Sequence, residues 1–489
     1  MKTRRDLFLL ATEAAALAAL PAGAGADAHK GAAPLSSARG KPLPELQQAF
    51  LDLRFGLFVH LNMATFQDRE WGDPAAPAAM FNPTALDTDQ WARAALSANM
   101  SWGCLTAKHH DGFCLWPTST RSDSVRHAGR KTDVVRAYVD SFRKHGLKVG
   151  LHFSMLDMRQ DIRRFDVTPD KVALIKAQLT ELLTGYGDID VLILDGWIAH
   201  WSRITYEEIP FHEIYALLKR LQPNCLVTDL NAGQFPTGGL YYTDLKAFEQ
   251  NAGQVAPKDN VLPGYACATL TEDWFWKTGD ENRPLKPVDK VVNEWLIPLN
   301  ARHCNLILNA PSNREGSIAP NLVARLAEIG AAWRNPGPAE KIGEHVVITT
   351  PNLATVKPIK ASSYPDTIGP DEANDGDFRS FWQPDDGVTS AWLEVDLKRE
   401  TTFNVVAFVE PVGSGDDYKH SRIKAYRFQR WDGHAWVDLA EGGVPSPVTI
   451  QKIARTSARR VRLLIEASEN GPGVAEIGVY DEPEYYRAV

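Results

Sequence analysis

Apolar runs that end on polar side chains, separated by helix-like segments, most constrain how this chain folds. "RFGLFVHLN" (54–62), "GCLTA" (103–107), "LKVGLHFS" (147–154), "IDVLILDG" (189–196), "NCLVTDL" (224–230) and "HCNLILNAP" (303–311) read as strands with apolar residues on both faces. Helical spacing separates them. One helix is expected from a Thr88-Asp89 cap to about Asn99, and one over Asp133–His145 with Gly146 as its stop. Others are expected from Pro169 to Gly185 or Gly187, over Tyr206–Leu221 and over Asn321–Trp333. Strands buried on both faces and joined by amphipathic helices require a parallel sheet covered by helices. The alternation runs from about Pro44 to Trp333, a length that suits a (β/α)8 barrel. A doubly wound sheet is the alternative, but no G-x-G-x-x-G or Walker loop follows any strand.

The pattern changes after Pro336-Gly337-Pro338. Short alternating runs such as "WLEVDL", "FNVVAFVE", "YRFQRW" and "EIGVY" predict an antiparallel β-sandwich. The expected domains are therefore a barrel over 45–336 and a sandwich over 345–489, consistent with a 489-residue chain too long for one core. Residues 1–28 read as a twin-arginine export signal: Arg4-Arg5, an apolar stretch over Leu7–Leu20, then small residues near Ala26. The apolar stretch is short and broken by Glu13, and no other segment approaches the ~18 unbroken apolar residues of a membrane span. A periplasmic or secreted bacterial protein is expected, with no membrane contact once the signal is removed. The net charge is −8 with no basic stripe, which argues against nucleic acid as a partner. The five cysteines include no C-x-x-C pair; Cys104, Cys225 and Cys304 sit in or beside apolar runs and read as core.

In barrels, chemistry sits at the C-terminal ends of strands. Those ends carry His60, the run Lys108-His109-His110-Asp111, His152, Asp195, Asp229, and Asn305 with Asn309. Histidines and carboxylates at one mouth suit a hydroxyl-rich substrate held by hydrogen bonds. A metal is the competing reading, but there is no H-E-x-x-H. His109 and His110 are adjacent and would point to opposite faces of a regular strand, converging only at a bend. No metal and no cofactor are expected at the mouth. Acidic loop residues around Asp375 and Asp377 could hold a structural calcium, although such loops are common.

Several stretches arrive in a fixed order: "FGLFVHLN", "EWGDP", "LTAKHHDGFCLWPT", "VGLHFS", "VLILDG" and "NLILNAPSNREGSI". Together they resemble the α-L-fucosidases of glycoside hydrolase family 29 across about residues 45–335. "EWG" followed by "HHDGFCLWP" looks most like the branch acting on α-1,3/1,4-linked fucose. The tail, with "DEANDGDFRSFWQP" and "VAEIGVY", resembles a discoidin-like (coagulation-factor 5/8 type C) module. The resemblance implies a retaining exo-glycosidase acting on fucosylated oligosaccharides or glycoconjugates. It implies Asp195 as nucleophile and His60, Glu70, Trp71, His109 and His110 as substrate-binding residues. His152 is expected to join them, at a position where the family often has Tyr.

"YYTDLKAFEQNAG" resembles the family stretch that carries the acid/base, which implies Glu249 in that role, with Glu272 in "TLTEDWFW" as runner-up. Two departures lie near the pocket. Ile193 stands where many members have Trp, and the Arg usual after strand five is missing from "TDLNAGQ". A glycosidase of related specificity, such as one for α-L-galactosides, and a non-catalytic glycan-binding protein on the same barrel are the alternatives.

Overall fold

A computed structural model describes residues 40–234, 238–411, 421–443, 448–469 and 471–483; the export-signal reading of residues 1–28 lies outside them. Eight parallel strands curve into a nearly closed barrel. They are β1 (Phe55–Val59), β2 (Trp102–Lys108), β3 (Lys148–Ser154), β4 (Val191–Asp195), β5 (Leu226–Asp229), β7 (Lys246–Glu249), β8 (Gly264–Thr269) and β9 (Cys304–Asn309). Their order is β5-β4-β3-β2-β1-β9-β8-β7. A two-residue strand, β6 (Leu240–Tyr241), leaves this path and pairs with β10 (Val347–Ile348). Between β5 and β7, Asp244 bridges the open edge: its amide donates to the Val227 carbonyl and its carboxylate accepts from the Val227 amide, each at 2.8 Å.

The doubly apolar strands work as their sequence requires. Phe58, Cys104, Ile193, Tyr265, Cys267 and Ile307 share the barrel interior. Leu57, Leu105, Leu151, Leu192, Ala266 and Leu306 alternate with them and join the core shared with the helices. Trp102 plugs the interior, and a Cβ on Gly56 would lie 2.4 Å from its indole, so a side chain there would collide. All five cysteines are buried and free.

The helices are α1 (Leu43–Leu51), α2 (Thr88–Ser97), α3 (Val134–Lys144), α4 (Pro169–Gly185), α5 (Phe211–Leu221), α6 (Ile297–Asn300) and α7 (Pro320–Ala332). The cap of α2 is Asp87, whose carboxylate accepts from the Gln90 amide at 2.8 Å, one residue earlier than the sequence suggested. The helix expected from Tyr206 begins only at Phe211, because Pro210 breaks the run and biases Ile209 away from helical angles. Tyr206 is left in a long β4–α5 loop.

The C-terminal sheet runs β11 (Ile359–Ala361), β12 (Ala391–Val409), β15 (Val448–Ser468), β13 (Ile423–Trp431) and β14 (Trp436–Gly442), with β16 (Glu476–Tyr480) on the second half of β12. All of these pairings are antiparallel. The second half of strand β12, from Phe403 to Val409, is buried on both faces. Phe403, Val406 and Phe408 enter the sandwich's own core, while Val405, Ala407 and Val409 join the core of the barrel.

Candidate active site

Asp195 ends β4 and is buried. Its Oδ2 lies 3.1 Å from His152 Nε2 and 3.7 Å from His110 Nε2, and its Oδ1 accepts from Asn231 Nδ2 at 3.2 Å. Burial alone would raise this carboxyl. The His152 hydrogen bond, the two histidines and Asn231 outweigh it and hold Asp195 below the usual carboxylate range. A second buried carboxyl, Asp229, ends β5. Burial pushes it up to about 7, against the hydrogen bonds from Tyr206 and Asn231.

His109 and His110 do converge. The β2–β3 register slips between Thr106 and Lys108, a bulge that ends regular alternation. The chain then turns, with the Gly112 amide donating to the His109 carbonyl at 3.0 Å and Gly112 at φ +89°. Bulge and turn bring the two rings to 4.0 Å between centroids. Beneath them Lys108 is fully buried against Asp157 at 3.2 Å and Gln178 at 3.0 Å. The Met158 amide donates to the His110 carbonyl at 2.9 Å.

Hydrogen bonds fix the tautomers. Asn309 Nδ2 donates to the Trp274 carbonyl, so its Oδ1, 2.7 Å from His60 Nδ1, accepts that N–H. Ser154 Oγ donates to the Leu156 carbonyl and therefore accepts from His110 Nδ1, also at 2.7 Å. In both rings Nε2 is left with a lone pair, an acceptor for a hydroxyl. Nδ1 of His109 and Nδ1 of His152 are buried without a protein partner. Burial drives His60 down to about 3 and His110 to about 4, and pushes His109 well below its ordinary value, so all three are neutral at neutral pH.

Glu249 ends β7 on the face of Ala247, which lies inside the barrel. Burial, then the charge of Asp195, push its carboxyl up to about 7, against a hydrogen bond from Trp274. Glu272 is exposed to solvent. Glu70 Oε2 accepts from the Trp274 amide at 3.0 Å, and Oε1 pairs with Lys277 at 3.3 Å. Trp71 is 37% exposed and packs on His110 at 4.6 Å and on Trp201 at 5.0 Å. Among the described residues, no group of three or more His, Cys, Asp or Glu is arranged to hold a metal ion.

An ionised carboxylate, a protonated one and neutral histidines at one barrel mouth can carry out acid-assisted displacement at a sugar carbon. A family profile for α-L-fucosidases matches residues 65–335. The chain belongs to the α-L-fucosidase family. It is a glycoside hydrolase, and a second profile, for F5/8 type C domains, matches residues 358–478. "Alpha-L-fucosidase 1" of Arabidopsis thaliana is 24% identical over 465 residues, 90% of this chain and 87% of that one. "Tissue alpha-L-fucosidase" of Mus musculus is 27% identical over 338 residues, 59% of this chain and 69% of that one. The structure of "Alpha-L-fucosidase isoenzyme 1" from Paenibacillus thiaminolyticus shares the fold, with a TM-score of 0.51 at 22% identity over 87% of this chain and 100% of that one.

Within this family site, four residues beyond the sequence reading stand out: Asn231, Trp201, Trp274 and Phe275. Asn231 lies in the "TDLNAGQ" stretch where the usual Arg is missing, and it supplies a neutral donor to Asp195. Trp274 packs on His60 at 5.0 Å and Phe275 on His109 at 4.8 Å. These two aromatics follow Glu272 in "TEDWFW", so the signal lay beside a residue already considered.

Proposed function

We propose that this protein is an exported, retaining α-L-fucosidase that removes terminal α-linked L-fucose from oligosaccharides or glycoconjugates, with preference for α-1,3/1,4 linkages. The observation that carries the reading is the opposed pair at the mouth: Asp195 held below the ordinary carboxylate range and Glu249 raised to about 7. Asp195 attacks the anomeric carbon as the glycosidic bond breaks, forming a glycosyl-enzyme ester. Glu249 gives its proton to the departing oxygen, then removes one from the water that cleaves the ester. Nε2 of His60 and of His110 accept sugar hydroxyls, while Trp71 borders the entrance. The linkage preference is supported by "EWG" with "HHDGFCLWP", and export by the paired arginines at Arg4-Arg5.

Proton NMR of the first product formed from α-1,2-, α-1,3-, α-1,4- and α-1,6-fucosylated oligosaccharides tests the reaction. α-Fucose appearing first, fastest from the 1,3 and 1,4 linkages, is expected; β-fucose first means inversion and removes the nucleophile. Replacing Arg4-Arg5 with Lys-Lys should retain the protein in the cytoplasm. Normal periplasmic recovery of that variant contradicts the export route.

A further inference from the structure

The C-terminal sandwich reaches toward the nucleophile through one aromatic side chain. Phe378 lies edge-on to Tyr206 at 6.2 Å and to Tyr241 at 5.6 Å. Tyr206 is buried in the β4–α5 loop, and its hydroxyl donates to Asp229 Oδ2 at 2.5 Å. Asp229 Oδ1 accepts from the Asn231 amide at 3.0 Å, and Asn231 Nδ2 donates to Asp195 Oδ1 at 3.2 Å. Each link fixes the next: the hydroxyl orients the Asp229 carboxylate, the carboxylate fixes the Asn231 backbone, and the backbone aims the amide.

The same loop is tied to the sandwich a second time. Arg164 pairs with Asp377 at 2.8 Å and donates to the Arg203 carbonyl at 2.7 Å, while Arg379 reaches that carbonyl at 3.3 Å. Arg203 stands at φ +59°, a left-handed conformation that a non-glycine residue keeps only when its surroundings hold it. Behind Tyr206, Tyr241 and the sandwich residue Tyr480 share a hydrogen bond at 2.7 Å.

We propose that the sandwich is a positioning element of the catalytic site, with Phe378, Tyr206, Asp229 and Asn231 acting in series to hold the Asp195 carboxylate in line with the anomeric carbon. Asn231 touches the nucleophile; Tyr206 and Phe378 are positioning residues that act through it. The inference rests on Asp195 being the nucleophile.

The test follows covalent labelling by a fluorinated, slow-turnover fucosyl donor, with the rate read by intact mass and the site by peptide mapping. Tyr206→Phe, which loses one oxygen, and Phe378→Leu, which keeps apolar bulk, should each slow labelling about tenfold, the scale expected of a misplaced reacting group. Affinity for free L-fucose should stay within about twofold, because a reaction-geometry defect spares ground-state binding. The Phe378→Leu/Asn231→Ala double variant should label no more slowly than Asn231→Ala alone, since residues in one series are not additive. Labelling at the wild-type rate in folded Phe378→Leu, or a double variant with multiplied defects, overturns the positioning role. If Phe378→Leu does not fold, the Tyr206→Phe/Asn231→Ala pair takes its place under the same criterion. A label outside the Asp195 peptide overturns the nucleophile assignment instead, and the positioning role with it.

Discussion

Asp195 and Glu249 lie at the same end of the barrel, yet their surroundings pull them in opposite directions. Asp195 gains donors from Asn231 and His152; Glu249 is half-buried, largely out of solvent, beside a negative charge with Trp274 as its donor. The first step needs Asp195 ionised and Glu249 protonated, so the sign of the pH dependence follows. With a natural fucosylated oligosaccharide, kcat/KM should fall as pH rises through about 7, where Glu249 loses its proton. On the acid side Asp195, being lowered, stays ionised, and the fall should begin near pH 4, where His110 gains a proton and loses its Nε2 acceptor. Glu249→Gln should abolish the alkaline limb on a nitrophenyl fucoside, whose leaving group barely needs the proton, and added azide should restore turnover in Glu249→Ala. An unchanged alkaline limb in Glu249→Gln, with azide rescue in Glu272→Ala, assigns the acid to Glu272. His110→Ala should raise KM and lower kcat, since each lost buried hydrogen bond costs about 1–3 kcal/mol; steady-state kinetics reads both.

At the scale of elements, the C-terminal end of β2 is where the fold converts a strand into a binding turn. The buried Lys108–Asp157 pair fastens the bulge to the loop after β3, and Lys108 also lies 4.1 Å over the Phe153 ring. Breaking a buried pair strands the other charge, so Lys108→Met should cost about 3–5 kcal/mol in urea unfolding. Lys108→Met with Asp157→Leu should recover part of that loss; a double variant no more stable than the single would mean that the charges matter less than the packing. Gly112→Ala should damage both stability and activity. Its φ of +89° is unfavourable for a side chain, and the new Cβ would lie 2.0 Å from Asp157 Oδ1. The strand ends were legible in the sequence because burial on both faces leaves a long apolar run, and a polar residue closing such a run marks the mouth. The bulge was not legible, because it depends on the β2–β3 register, which no local pattern carries. Asn231 and Trp201 were missed for a related reason: they lie in a short 3-10 turn and a loop without apolar periodicity, and their partners are distant in sequence. The helix read from Tyr206 shows the converse error. Apolar spacing continued through Ile209, but Pro210 decided where the helix could start.

For the whole molecule, two modules that the sequence separates cleanly at Pro336–Pro338 are joined by the barrel-side core, which extends into the sandwich while the sandwich keeps a core of its own. The alternation along β12 explains this: one face fills the sandwich and the other fills the barrel's outer core. Strand β10, just beyond the linker, extends the contact by pairing in parallel with β6, and Ile348 at that pairing is fully buried. Interfaces between loosely joined domains are typically more polar and allow relative motion; a continuous apolar core couples unfolding instead. The described chain should therefore melt in one calorimetric transition. Ile348→Ala removes buried methyl groups where the modules meet and should cost about 2–5 kcal/mol. The whole transition should shift downward as a single peak, with loss of activity tracking it. If the modules are independent, the same variant will split the trace, leaving one peak at the wild-type temperature and moving the other. Activity that survives above the first of two peaks would place catalysis in a barrel that does not need the sandwich, against the shared core.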